Sequence, residues 1–302
     1  MIGETSSPEN LTVRDLLEAG VHFGHETKRW NPKMKPFIFG ARNGVYIIDV
    51  EQTEGLFKRA SDFVHALAAR GGTVLFVGTK RQAKEVVEEE ARRCGMFYVS
   101  QRWLGGTLTN WKTLQRSIRQ LRQLDQMGEQ TQEYEGHTKK ERLQLAKKHQ
   151  RMAKMLEGIK GMEQPPDALF VVDPKKERIA VLEANRMRIP VIAICDTNCD
   201  PEPVQYVIPG NDDAIRSIKL FVSRIAEAVM NGRTMARRPE PVAAPTRPTS
   251  SEGEPGAGAR LADARIPTPV THRLVERSAA SKPAGPSAAP AAGEQGDDTT
   301  GR

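Results

Sequence analysis

The chain has 302 residues, 38% of them hydrophobic and 27% charged, and its 45 Lys and Arg exceed 38 Asp and Glu to give a net charge of +7. That is enough apolar material for a sizeable core. No apolar run approaches the ~20 residues that span a bilayer, and the opening MIGETSSPENLTVRDLL lacks the basic-then-apolar order of a signal peptide, so a soluble cytoplasmic protein is expected, with no membrane partner.

Cys94, Cys195 and Cys199 are odd in number and lack a paired spacing, which fits reduced thiols. The charge is unevenly spread. Residues 1–106 carry 15 basic and 13 acidic groups, 107–160 carry 12 and 6, 161–235 carry 9 and 11, and 236–302 carry 9 and 8. Nearly all the excess lies in 107–160, so the footprint for a polyanion is localised.

In chain order, Thr12 reads as the N-cap of a short helix to Ala19, with Val13, Leu16 and Leu17 on one face and Gly20 as the stop. Next comes VHFGHETKRWNPKMKPFIFGARNGVYIIDV, which interleaves His22, His25, Lys28, Arg29, Lys33, Lys35 and Arg42 with Phe23, Trp30, Phe37, Phe39 and Tyr46. Glu26 is its only acid before Asp49. Basic side chains pair with phosphates while flat rings stack on unpaired bases, so the mixture points to RNA. Phe37, Phe39, Tyr46 and Ile48 alternate across Asn43-Gly44, the mark of a hairpin. The expectation is buried hairpin rings, with the charges and Trp30 outside. His22-x-x-His25 would hold a metal only with further ligands, which the sequence does not identify.

Asp49 opens a helix to about Ala69, with Leu56, Phe57, Ala60, Phe63, Val64 and Leu67 facing inward. Thr73 to Val77 is an unbroken apolar run suited to a strand covered on both faces. A helix from Gln82 to Arg93, a stop at Gly95 and a strand from Met96 to Val99 complete a βαβ unit. Gly78-Thr79-Lys80 stands at the carboxyl end of a strand just before a helix, where α/β proteins bind phosphates. Neither G-x-x-x-x-G-K-[ST] nor G-x-G-x-x-G occurs there, so a phosphate-binding or phosphotransferase-type enzyme is only the distant alternative. No nucleophile, base and orienter stand together, and no cofactor, metal or small-molecule substrate is implied.

The stretch SQRWLGGTLTNWK then crowds two tryptophans, two glycines, Arg102 and Lys112 without an acid. Beyond it Trp111, Leu114, Ile118 and Leu121 recur at helical spacing, as do Leu145, His149, Met152, Leu156 and Ile159, with MGEQTQEYEGHT breaking the helix between them. This predicts an antiparallel helical hairpin, residues 107–160, with arms of roughly 30 Å, a narrow apolar seam and a projecting position. The α/β pattern resumes with strands Ala168 to Val172 and Val191 to Ile194, a helix Lys176 to Arg188, a short strand Val204 to Ile208, and a last helix opened by Asp212-Asp213. A mostly parallel, doubly wound sheet follows, built from 1–106 and 161–235 around the hairpin. From Ala236 onward there is no Phe, Trp or Tyr and ten of the 20 prolines occur, so a disordered tail, 236–302, is expected.

HFGHETKRWNPKMKPFIFGARNGVYIIDV, VLFVGTKRQAKEVVEEEA, QRWLGGTLTNW and PGNDDAIRSIKLF, in this order, resemble the bacterial small-subunit ribosomal protein S-two family from about Thr12 to Asn231. The resemblance implies a flavodoxin-like α/β domain with an inserted coiled-coil hairpin. It also implies a seat on 16S rRNA among neighbouring ribosomal proteins near the junction of head and body, and help in docking the large mRNA-handling protein S-one. The tail is longer than the family's common ending. The RNA-binding candidates are Lys28, Arg29, Trp30, Lys33, Lys35 and Arg42, then Lys80 and Arg81 at the βα turn, then Arg102, Trp103, Asn110, Trp111 and Lys112 at the hairpin base. For Trp103 and Trp111 the competing role is packing the hairpin on the domain.

Overall fold

The computed structural model of the chain describes residues 11–129 and 138–236. The expected tail beyond Ala236 and most of the expected helix break lie outside the described residues. Among the described residues no helix is long and apolar enough to cross a membrane.

The first helix, α1 (Val13–Glu18), is closed by a capping box in which Asp15 N donates to Thr12 Oγ1 and Thr12 N donates to the Asp15 carboxylate. A small antiparallel sheet follows, made of β1 (Phe23–Glu26), β2 (Ile38–Arg42) and β3 (Val45–Ile48) in the order β1-β3-β2. Asn43 and Gly44 take φ of 52° and 76°, the left-handed pair that a two-residue hairpin turn requires. The expectation of buried hairpin rings is corrected at Phe39, which is 81% exposed, while Phe37 and Tyr46 are half-buried and Ile48 is buried. Strand alternation turns Ile38 toward the main core and therefore Phe39 away from it. Trp30, expected outside, is half-buried with its ring 5.2 Å from that of Tyr46.

The main sheet contains β4 (Val74–Val77), β5 (Phe97–Val99), β6 (Ala168–Val172), β7 (Val191–Cys195) and β8 (Tyr206–Pro209), all parallel, in the order β5-β4-β6-β7-β8. Counted along the chain within this sheet, that is the 2-1-3-4-5 order of flavodoxin-like folds. Every residue of β4, β6 and β7 is buried. Val74, Phe76, Phe170 and Ile192 meet one layer, formed by α2 (Val50–Ala69), α3 (Lys84–Arg93) and α7 (Ile215–Ala236). Leu75, Val77, Leu169 and Val171 meet the other, formed by the 103–108 loop, α4 (Trp111–Glu129), the end of α5 (Lys139–Leu156) and α6 (Arg178–Arg186). Alternate residues thus feed two cores, which is why these strands read as continuous apolar runs.

Leu114, Ile118 and Leu121 of α4 are buried in the same core as Leu75 and Val77, together with Leu156 and Ile159, where the chain returns from α5 to the domain. The seam spacing did not imply this: the lower turns of α4 are a layer of the domain rather than a free arm. Further out, Asp125 of α4 meets His149 of α5 at 2.6 Å, and its second oxygen meets Lys160. The opening of α7 is also corrected. Asn211 Oδ1 accepts from Asp213 N at 2.8 Å and Ala214 N at 3.1 Å, so Asn211 supplies the turn and Asp212 is left free for another role.

The loop between β5 and α4 contains no strand or helix, and Glu183 of α6 holds it. One carboxylate oxygen accepts from Trp103 Nε1 at 3.1 Å and Gly106 N at 2.7 Å. The other accepts from Leu108 N at 2.9 Å and from Thr109 N and Oγ1, both at 3.2 Å. Burial pushes this carboxyl's pKa up, but the donors outweigh it and hold the group below the usual carboxylate range. Glu183→Gln should therefore cost about 3 kcal/mol in urea unfolding at neutral pH, because an amide turns a donor toward donors. A depressed folded-state pKa contributes stability that is complete above the ordinary value of ~4.3 and lost as pH falls through the lower one, so the gap should narrow below about pH 4. An unchanged urea midpoint at pH 7 would remove Glu183 from this role.

Candidate nucleic-acid interface

The N-terminal candidates are presented by short elements, not by long helices. Asn31 caps a 3-10 turn over Pro32–Phe37 by accepting from Lys33 N at 3.0 Å, and the turn leads directly into β2. Lys28, Arg29, Lys33, Lys35 and Arg42 are all exposed. Lys28, Lys35 and Arg42 have no carboxylate partner among the described residues, whereas Arg29 lies 3.8 Å from Glu26. Lys33 is bridged to Asp200 at 3.0 Å and Glu202 at 2.5 Å, which fastens this segment to the loop after β7. At the start of α4, Arg102, Asn110 and Lys112 are exposed, and Trp111 is half-buried. Trp103 is 7% exposed with its N–H committed to Glu183, so it acts behind the surface. Arg81 is exposed, but its neighbour Lys80 is not available to an outside phosphate.

Lys80 sits at the carboxyl ends of β4 and β6, the crevice where the order of the sheet reverses. Its ammonium lies 2.7 Å from Asp212, 2.6 Å from Asp213 and 3.6 Å from Asp173. Asp173 follows β6, Asp196 follows β7 and Asp212 follows β8 closely, so successive strand ends deliver acids to one place. His25 enters from the small sheet, with Nδ1 3.0 Å from Asp196 and Nε2 3.3 Å from Asp213. This needs Gly24, since a Cβ there would lie 2.6 Å from Thr197 Cγ2, and Thr197 Oγ1 accepts from His25 N at 2.9 Å. Burial, with Asp173 and Asp196 adding to it, pushes Asp212 up to about 7 despite Lys80. Burial pulls the Lys80 pKa down, yet the surrounding carboxylates carry it well above its usual value. The hydrogen bond to Asp196 likewise raises His25.

This cluster was not legible as a unit, although one signal was present: an acid follows each of three separate apolar runs. His22 takes no part in it; only His25 joins the carboxylates. His25, Asp212 and Asp213 bring ligand atoms within 4.8 Å of one another, as do Asp173, Cys199 and Asp212, but the Lys80 ammonium already pairs with the carboxylates of both sets. A phosphate is disfavoured. Thr79 N donates to Glu177 at 3.1 Å and Thr79 Oγ1 to the same oxygen, so the donors that would cradle an anion face a carboxylate. Lys80→Met should leave several buried carboxylates uncompensated and cost about 3 kcal/mol in urea unfolding at pH 8. Because Asp212 has a raised pKa, its ionised form is disfavoured in the fold and the loss should shrink at pH 5. A loss below ~1 kcal/mol at pH 8 would show that the cluster is held by something other than Lys80.

The family model of Ribosomal protein S2 matches residues 16–232. The small ribosomal subunit protein uS2 of Geotalea uraniireducens is 60% identical over 224 residues, covering 74% of this chain and 87% of the relative. That of Koribacter versatilis is 57% identical over 227 residues, 75% of each chain, and that of Sorangium cellulosum 58% over 222 residues, 74% of this chain and 80% of the relative. A match of this length, on an α/β sheet whose basic side chains face outward from short turns, leads to one conclusion: the chain belongs to the ribosomal protein S2 family.

Proposed function

We propose that the chain is a structural constituent of the small ribosomal subunit, binding 16S rRNA and neighbouring ribosomal proteins near the junction of head and body. The single observation that carries this reading is membership of a structural, non-enzymatic family over residues 16–232. Lys28, Arg29, Lys35 and Arg42 form the first RNA surface, with the exposed ring of Phe39 beside them for an unpaired base. Arg81, Arg102, Asn110 and Lys112 form the second, and Glu183 with Trp103 holds the loop between Arg102 and Asn110 in place. Lys80, Lys33 and Trp30 support these surfaces from behind or beside them. Residues 11–106 and 161–235 make one flavodoxin-like unit, and the helix pair α4 and α5 within 107–160 is its inserted coiled-coil hairpin. The docking of S-one rests on the family relationship alone.

The rival phosphate-binding enzyme loses support at the turn after β4, where Glu177 and the Asp cluster consume the donors an anion would need. Changing Lys35 and Arg42 together to Gln should leave the thermal melt unchanged and weaken binding to small subunits lacking this protein. The slope of log affinity against log salt should flatten by roughly 2, one step of ~0.9 for each phosphate contact removed. An unchanged affinity and slope in the folded variant would remove this surface from the interface.

A further inference from the structure

In the main domain Lys33, Lys80, Arg92 and Arg93 each have a carboxylate within 4 Å, and the unpaired cations stand on separate turns and helices. One helix of the pair instead gathers unpaired cations on a single side. On α5, Lys140, Lys147, Arg151 and Lys154 are exposed and have no ion-pair partner among the described residues. Their separations of seven, four and three residues put them on one side of the helix, within about 60° at ~100° per residue. The inward face, Leu145, His149, Met152 and Leu156, lies on the opposite side. No Asp or Glu shares the stripe, Glu141 standing about a quarter-turn away from Lys140.

We infer that this stripe is a phosphate rail, a straight surface along which α5 lies against the backbone of an RNA helix. The inference rests on the proposed small-subunit role and names the face that meets the RNA. The rail is about 21 Å long at ~1.5 Å per residue. A nucleic-acid strand offers phosphates at short, regular intervals, so a row of flexible basic side chains of that length finds partners without a matching sequence. A protein partner would need an apolar centre. Leu143 and Met155 are the exposed large apolar residues of α5, but they are twelve positions apart, roughly 18 Å, and make no continuous patch. The lack of acids on the face also separates it from an ordinary solvated helix surface, where both signs are interspersed.

The test uses the full chain and small subunits prepared without it. Lys140→Gln, Lys147→Gln and Arg151→Gln are combined in one variant. A control combines Lys139→Gln, Arg142→Gln and Lys148→Gln, which removes the same charge from other sides of the same helix. Both should keep the parent melting curve, since all six side chains are exposed. The rail variant is expected to bind subunits at least tenfold more weakly at moderate salt and to lose about two to three from the salt slope, with the control close to the parent. Equal losses in both variants would mean diffuse attraction and overturn the rail, as would parent-like binding by the rail variant. A loss with unchanged salt slope would assign the face to a protein and also overturn it. If the unaltered chain failed to bind subunits, the small-subunit role itself would fall, an outcome distinct from any difference between the two variants.

Discussion

Everything in this fold depends on a parallel sheet that is buried on both faces. Strands such as β4, β6 and β7 have no solvent side, so they can carry no charge along their length. Polar groups are confined to the strand ends, and in a doubly wound sheet the carboxyl ends converge. Asp173, Asp196 and Asp212 arrive there by this geometry alone. Like charges brought together in a poorly solvated place repel, and the fold answers with Lys80 and His25. His25 comes from the small antiparallel sheet, so neutralising the cluster also fastens that sheet, with its exposed basic side chains, to the main one. Lys33, bridged to Asp200 and Glu202, makes a second fastening of the same kind nearby.

The same confinement explains which parts of the chain could be read from sequence. Strands β4, β6 and β7 announced themselves because double burial leaves no polar interruption. The hairpin turn at Asn43-Gly44 was legible because both residues take positive φ, which that dipeptide favours. Strand β1 was not legible: Phe23–Glu26 pairs through its backbone with β3, and its side chains show no alternation. The burial of Phe39 was wrongly expected because period-two alternation identifies two faces without saying which one is covered. The acids at the strand ends were individually visible, but only the strand order shows that they meet. Asp212 was misread as a helix opener because its proximity to α7 is genuine, while Asn211 holds the turn that precedes the helix.

For the interface, sequence located the basic segments but could not sort them by availability. Lys80 and Arg81 are adjacent in sequence and opposite in circumstance, one enclosed by carboxylates and the other open. Trp103 and Trp111 differ similarly, because Glu183 takes the N–H of the first. Such distinctions depend on partners far along the chain, Asp212 for Lys80 and Glu183 for Trp103, which local pattern cannot supply.

The positive charges therefore serve two roles, separated by whether a carboxylate stands beside them. Where the solvent is excluded, a cation is tied to carboxylates and contributes to the fold; its attraction for a distant polyanion is cancelled before it reaches the surface. At Lys28, Lys35 and Arg42, and on the outer face of α5, cations stand without carboxylates among the described residues and their field extends into solvent over roughly a Debye length. The middle segment carries only a part of the chain's basic residues but nearly all of its uncompensated charge. A near-neutral globular part and a positive middle segment follow from that sorting, and they allow one chain to fold around buried acids while keeping a basic surface open to solvent.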